Sequence, residues 1–361
     1  MAHIQLKNIT KKFGAHTALK GLDLEIQDGE FFVLLGQTGA GKTTTLRLIS
    51  GLETPTEGNI FIDGIDVGPW GAAERDVALV LQQYSLYPRY TVRENLEFPL
   101  KPKIRRLDRA EIDERVNRVA KTLRIEHLLD RKTDRLSGGE MQRVSIGRAI
   151  VRKPRVFLMD EPLSALDAKL REALRTELKN LQINLGATFL FVTHDQIEAM
   201  SMGDKIGVLN EGHLVQVGTP NEIYNNPLNT FVARSVGSPP MNLIEGELRS
   251  GKAVMTQKNF ELPFAGATGT SAAEGDRPLV FGIRPEDLHL EAGAPVEARV
   301  HDVENHGVEK ILTLRVGDTM LRATVPARTD VALEDAVRFA WNPNKVVLFD
   351  RASGVSLRHA G

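Results

Sequence analysis

The spacing of apolar residues changes several times along this chain. Near the start, "IQLKNIT" and "LDLEI" alternate apolar and polar side chains, the period of half-exposed strands. "FFVLL" (31 to 35), "RVFLMD" (155 to 160) and "TFLFVT" (188 to 193) are unbroken apolar runs, as in strands buried on both faces of a mostly parallel sheet. Between them the spacing turns helical: Ile112, Val116, Val119, Ala120 and Leu123 recur on one face, as do Leu166, Leu170, Leu174, Leu178 and Leu181. Alternation of buried strand and amphipathic helix predicts an α/β layered fold. From about residue 236, beginning with "GSPPMN", the texture changes. "ARVHDV", "KILTLRVG" and "MLRATVP" are short, mixed in polarity and broken by Gly or Pro, which predicts a small antiparallel β-domain. The boundary falls at 235 to 242, giving domains 1–235 and 236–361, and "AGATGTSAAEGDRP" (265 to 278) reads as a flexible loop inside the second. No repeat of solenoid period is present.

Length and charge narrow the function. A fold of 361 residues can bury roughly three quarters of its unfolded surface, and two domains are expected. Lys and Arg number 46 against 47 Asp and Glu, so no global positive field draws the chain to nucleic acid or anionic lipid. The absence of cysteine excludes disulfides, thiolate metal sites and cysteine nucleophiles. The N-terminal "MAHIQLKNITKKFG" lacks the apolar run of a signal peptide, and no stretch approaches the roughly 18 apolar residues of a spanning helix. Any membrane role is therefore expected to be peripheral.

The chemistry begins at Gly36, Gly41, Lys42 and Thr43, which satisfy G-x-x-x-x-G-K-[ST] between a buried strand and a helix expected over 43–50. Glycines suit such a loop because successive backbone N–H groups must point at a phosphate, some from residues with positive φ. Lys42 is expected to contact the β/γ-phosphates and the Thr43 hydroxyl to ligate Mg²⁺, with the helix dipole favouring the negative charge. A matching acidic strand end follows in "VFLMDEP". Asp160 is expected to hold the Mg²⁺ shell and Glu161 to orient and deprotonate an attacking water. "LSGGEMQRVSIGRAIV" then sets Ser137, Gly138 and Gly139 before an amphipathic helix. That is either a second phosphate-binding helix start or simply a serine N-cap.

Together, "GQTGAGKTT", "LVLQQYSLYP", "LSGGEMQR", "VFLMDEPLSALD" and "FVTHDQIEAM" resemble the Walker A, Q-loop, signature, Walker B plus D-loop, and H-loop of an ABC-transporter ATPase, in family order across residues 3 to 235. The resemblance continues through "GSPPMNLIEGEL" and "FGIRPEDL" into an OB-like (TOBE) regulatory domain, and is to the ATPase subunits of sugar importers of the maltose/glycerol-phosphate type. It implies a P-loop NTPase cassette with a RecA-like core, an antiparallel β-subdomain and a helical subdomain, followed by a small all-β OB-like domain. It further implies that ATP is sandwiched between two copies of the chain, the phosphate loop of one facing Ser137, Gly138 and Gly139 of the other. Only the closed pair would complete the donor shell of the γ-phosphate and exclude water.

Residue by residue, the resemblance implies that Gly36, Gln37, Thr38, Gly39, Ala40, Gly41, Lys42, Thr43 and Thr44 cradle the phosphates of ATP, that Phe13 in "KKFG" stacks on adenine, and that Asp167 in "SALD" crosses the dimer interface. Thr43, Gln82 and Asp160 would serve Mg²⁺, with Glu161, His194 and Gln82 as the catalytic set. Two permease subunits would dock on the segment 84–107, with Tyr84, Leu86 and Tyr87 as contacts, in helix-in-groove fashion. The chain would sit on the cytoplasmic face of the membrane and meet an extracytoplasmic solute-binding protein only indirectly. Two positions depart from the family pattern: Glu140 replaces the usual signature glutamine, and Val347 stands where relatives often carry histidine. A polyamine or inorganic anion is the alternative cargo. A soluble ABC ATPase acting on nucleic acid or ribosomes would carry tandem cassettes, a coiled-coil insertion or a basic bias, none of which is here. A GTPase would carry N-K-x-D, and "NPNKVV" lacks the acid.

Overall fold

The computed structural model describes residues 2–102, 107–249, 252–257, 260–263 and 277–358. They divide into two compact units, 1–220 and 221–361. In the first, the strands in chain order are β1 (Ile4–Phe13), β2 (His16–Ile26), β3 (Phe31–Gly36), β4 (Glu57–Ile62), β5 (Ile65–Asp66), β6 (Val77–Val80), β7 (Val156–Asp160), β8 (Thr188–Thr193), β9 (Lys205–Asn210) and β10 (His213–Gly218). The helices are α1 (Lys42–Ile49), α2 (Val92–Glu97), α3 (Arg109–Thr122), α4 (Gly138–Ile150), α5 (Ala168–Leu185) and α6 (Gln196–Met202).

The two kinds of apolar pattern build two kinds of sheet. The alternating segments pair antiparallel in the order β2-β1-β4-β5, burying one face that includes Ile4, Leu6, Leu22 and Leu24. The unbroken runs β3, β7 and β8 are buried along their whole length in a six-stranded sheet of order β10-β9-β3-β8-β7-β6, parallel except for the β9–β10 pair. Phe31 and Phe157 stack on Phe189 between them, with ring centroids 5.3 and 4.5 Å apart. One apolar cluster joins both sheets to α1 through Leu34, Leu46, Leu158 and Leu190. Burying these side chains contributes about 1.5–3 kcal/mol each.

Helix boundaries follow the caps. Asp108 accepts from the Glu111 N–H and starts α3, whose buried face carries Ile112, Val116, Val119 and Ala120. Leu166 is buried but precedes α5, because the Asp167 carboxylate accepts from the Leu170 N–H and fixes the helix start after it. The sheet order puts the carboxyl ends of β3, β8 and β7 side by side, where open α/β sheets collect ligand-binding groups.

The second unit opens with α7 (Pro220–Asn225) and α8 (Thr230–Ser235), followed by β11 (Asn242–Arg249), β12 (Lys252–Gln257), β13 (Phe260–Pro263), β14 (Arg277–Ile283), β15 (Leu288–Leu290), β16 (Val296–Asn305), β17 (Glu309–Val316), β18 (Thr319–Pro326), β19 (Ala336–Trp341) and β20 (Val347–Asp350). Two antiparallel five-stranded sheets, β13-β12-β11-β14-β20 and β15-β19-β16-β17-β18, enclose a core that includes Phe281, Leu312, Leu314 and Phe339. This is the all-β architecture expected from the short segments.

The second unit takes in residues 221–235, and Arg284 holds that segment. Its guanidinium is 3% exposed, donates to the Ala233 and Val236 carbonyls and to the Tyr224 carbonyl, and lies 3.9 Å over the Tyr224 ring. The helices before residue 236 are thereby tied to the β-sheets. Val347 is 1% exposed, in an apolar cluster with Ala233, Met241 and Phe349. An imidazole there would lose its water, so the departure from histidine reads as packing. Of the expected 265–278 loop, residues 265–276 lie outside the described residues, and Arg277 and Pro278 belong to β14.

Candidate functional site

The phosphate loop leaves β3 and enters α1 through Gly41, which has φ 108° and serves as an N-cap without a side-chain bond. The first turn of α1 carries no acidic residue, so its free N–H groups and the positive end of its dipole are available to an anion. Lys42 is only 4% exposed. Its Nζ donates to the carbonyls of Gly36 (2.9 Å) and Gln37 (3.0 Å), and the Ala40 N–H also returns to the Gln37 carbonyl at 3.1 Å. The loop is thus wound around its own lysine.

The acidic strand end meets it directly. Thr43 Oγ1 donates to Asp160 Oδ1 at 3.1 Å, and Lys42 Nζ lies 3.3 Å from Glu161 Oε1. The other oxygen of Glu161 is 2.9 Å from His194 Nδ1, so lysine, glutamate and histidine form one connected cluster. Burial pushes the Asp160 carboxyl above its ordinary range; the Thr43 hydrogen bond opposes this, and the neighbouring Glu161 charge adds to it. Glu161 sits in the left-handed region at φ 44° and donates its N–H to the Val192 carbonyl at 3.0 Å. That is the kind of strain concentrated at functional positions, costing about 1–3 kcal/mol. Gln82 is exposed, with Nε2 3.4 Å from Ser164 Oγ, which in turn donates to the Glu161 carbonyl at 2.9 Å.

A cleft of about 360 Å³ opens over this loop, lined by Phe13, His16, Ala18, Thr38, Gly39, Gly41, Lys42, Thr43, Thr44, Gln82 and Glu161. Phe13 is 44% exposed at its rim with Lys11 Nζ 4.7 Å over the ring, so it is a surface aromatic and no core phenylalanine. His16 and Ala18 line the cleft without having been marked in the sequence. Their only signal is proximity to Phe13 in "FGAHTA".

Ser137, Gly138, Gly139 and Asp167 lie outside that lining. Ser137 caps α4: its Oγ accepts from the Glu140 N–H (3.3 Å), while Glu140 Oε2 accepts from the Ser137 N–H (2.7 Å). The unusual glutamate therefore closes a capping box, and with Ser137 Oγ accepting, its hydroxyl proton is left to donate elsewhere. The Ser137 N–H holds the Glu140 carboxyl below its ordinary range, with help from the charge of Arg131.

A second hollow, of about 600 Å³, includes Tyr84, Tyr87, Phe98, Pro99 and Arg148 in its lining. Leu86 is half-buried and is not part of that lining. Tyr87 packs on Phe98 with centroids 4.4 Å apart, and the Arg148 guanidinium lies 4.9 Å over Tyr87 while donating to the Ser85 carbonyl.

Among the described residues no trio of His, Cys, Asp or Glu is gathered for a metal ion, and no helix is long and apolar enough to cross a membrane.

Comparison with known proteins agrees with this geometry. The family described as ABC transporter matches residues 19–164, the MalK OB fold domain matches 237–288, and the TOBE domain matches 281–349. The trehalose/maltose import ATP-binding protein MalK of Thermococcus litoralis is 45% identical, over 99% of this chain and all of its own. The sn-glycerol-3-phosphate import ATP-binding protein UgpC of Ruegeria pomeroyi is 43% identical, over 98% of this chain and 99% of its own. Among solved structures, the dimeric post-hydrolysis ATP-binding cassette MJ0796 with ADP and Pi superposes with a TM-score of 0.55 at 35% identity, covering 60% of this chain and 98% of that one. With a wound lysine loop facing an acidic strand end, and near full-length identity to import ATP-binding proteins, the chain belongs to the ABC-transporter ATP-binding family and carries that family's OB and TOBE modules.

Proposed function

We propose that this chain is the ATP-hydrolysing subunit of an ABC importer for a sugar or sugar derivative. It works as a head-to-tail pair beneath two permease subunits on the cytoplasmic face of the membrane. The observation that carries the reading is the cluster in which Lys42, Glu161 and His194 meet within 3.3 Å at the carboxyl ends of β7 and β8 and the start of α1. Lys42 and the N–H groups of residues 36–44 bind the β/γ-phosphates, and Phe13 takes the adenine. Thr43 Oγ1 and Asp160 Oδ1, 3.1 Å apart, are hard oxygens of the kind that would hold Mg²⁺. Mg²⁺ would supply charge neutralisation at the phosphates, and Gln82, exposed beside the cleft, would be a further oxygen donor to it.

Glu161 orients a water for attack on the γ-phosphorus and takes its proton as the phosphorus–oxygen bond to ADP breaks. His194, 2.9 Å away, holds the carboxylate and the terminal phosphate in register. Ser137, Gly138 and Gly139 of a second copy complete the donor shell, and Asp167 lies at that junction. Their position outside the cleft of their own chain supports a site built from two copies. Tyr84 and Tyr87, in the hollow beside α4, receive the permease, with Leu86 next to them. The names of the relatives favour a sugar-type cargo, and a solute-binding protein outside the membrane would present it.

Glu161→Gln tests the reading. It keeps the side chain's size but removes the proton acceptor. Turnover of Mg-ATP should fall by roughly 10² to 10⁴ while ATP binding persists and an ATP-bound dimer accumulates. Near-normal turnover would remove Glu161 from its role.

A further inference from the structure

His194 is carried on a two-residue turn between β8 and α6, and that turn is held by an uncommon arrangement. Asp195 caps α6, and Glu198 occupies the third helical position, from which an ordinary capping box would reach straight back to the N-cap N–H. Here a hydroxyl is interposed. The Thr193 hydroxyl donates to Glu198 Oε2 at 2.6 Å, and Thr193 Oγ1 itself accepts from the Asp195 N–H at 2.9 Å. The residues on both sides of His194 are therefore pinned to one buried carboxylate. Glu198 and Thr193 are each 2% exposed, and burial pushes the Glu198 carboxyl above its ordinary range.

A second tie comes from the other side. Arg171 Nη1 donates to Asp195 Oδ2 (3.3 Å) and Nη2 to the Leu166 carbonyl (3.0 Å), one residue before Asp167. The turn is thus braced both from within α6 and by Arg171 of α5, which also holds the loop before that helix. An exposed imidazole (55% of its side-chain surface) has no packing to fix its direction, so the backbone beneath it must do so. A buried carboxylate is costly, and a cap for a seven-residue helix could be made without one.

We infer that Thr193 and Glu198 are positioning residues for the ATPase reaction, forming a hydroxyl-relayed cap that aims His194 at Glu161. This rests on the proposed roles of Glu161 and His194. Misaiming by an ångström costs on the order of 10²-fold in rate without touching the nucleotide-binding groups.

The test compares Thr193→Val, which keeps the volume and removes the hydroxyl, with Thr193→Ser, which keeps the hydroxyl, in the full-length chain. Thr193→Val should lower kcat roughly 10- to 100-fold with little change in KM, and Thr193→Ser should retain most of the rate. Equal losses in the two variants, or a wild-type kcat for Thr193→Val, would overturn the inference. Should Thr193→Val fail to fold, Glu198→Gln, which still accepts from Thr193, against Glu198→Leu, which does not, makes the same decision. Glu161→Gln and His194→Ala run alongside. If those two hydrolyse normally, the site reading itself falls; if they lose turnover while Thr193→Val does not, only the relay falls.

Discussion

Gly41→Ala offers a sharp quantitative test of the phosphate loop. At Gly41 the backbone stands at φ 108°, where an L side chain is strained by about 1–3 kcal/mol. An added Cβ would also lie 2.7 Å from Leu19 Cδ2 and 2.8 Å from the Ala18 carbonyl oxygen. The leucine tip can turn away, but the carbonyl belongs to β2 and cannot, so overpacking adds about 1–3 kcal/mol. Allowing for partial relaxation, the substitution costs roughly 2–5 kcal/mol, which for a unit of residues 1–220 corresponds to a melting temperature lower by about 4–20 °C. Gly39→Ala is the internal comparison. Gly39 also has positive φ, at 84°, but nothing lies within 4 Å of its added Cβ, so only the strain remains. Differential scanning calorimetry of the three proteins, followed by ATP titration, reads both effects. Gly41→Ala should melt lowest and bind ATP more weakly, because the loop can relieve the clash only by turning its N–H groups. Equal melting shifts for the two alanines, or a Gly41→Ala shift below about 2 °C, would refute the account of the loop.

Lys42→Ala removes the cation around which residues 36–41 are wound. It should weaken ATP binding itself by a factor of ten or more, read by equilibrium titration, since a charge-assisted contact contributes about 1.5–3 kcal/mol. Glu140→Ala opens the capping box at α4 and should cost about 0.5–1 kcal/mol at neutral pH by chemical denaturation. The folded-state pKa of Glu140 is depressed, so this advantage is present above the ordinary carboxylate pKa and is lost as pH falls through the lowered one. A wild-type advantage that grew in acid would have the wrong sign.

Reading the chain from periodicity and motif works where the physics is local. Buried runs such as "FFVLL" and "TFLFVT" have no other home than a covered sheet, and a lysine after glycines between such a strand and a helix has few uses besides phosphate. Lys42, Asp160 and Glu161 could be singled out on that ground, and His194 through the family resemblance. Their connection was not legible: that Glu161 touches both Lys42 and His194 depends on β3, β8 and β7 lying side by side, an order that no local pattern states.

Other features were decided by tertiary contact alone. Glu140 stood out in the sequence as a departure, but only the returning hydrogen bond from Ser137 shows it to be a cap. Thr193 and Glu198 read as a strand end and a helix position, and their relay exists because the turn brings hydroxyl, amide and carboxylate together. Arg284 reaches carbonyls of Tyr224, Ala233 and Val236, between 48 and 60 residues upstream, and so ties that segment to the β-sheets. Short-range periodicity and loop chemistry settled which elements form and which residues bear charge. Hydrogen bonds between segments far apart in the chain, whose geometry only a folded sheet supplies, settled which of those residues can act together.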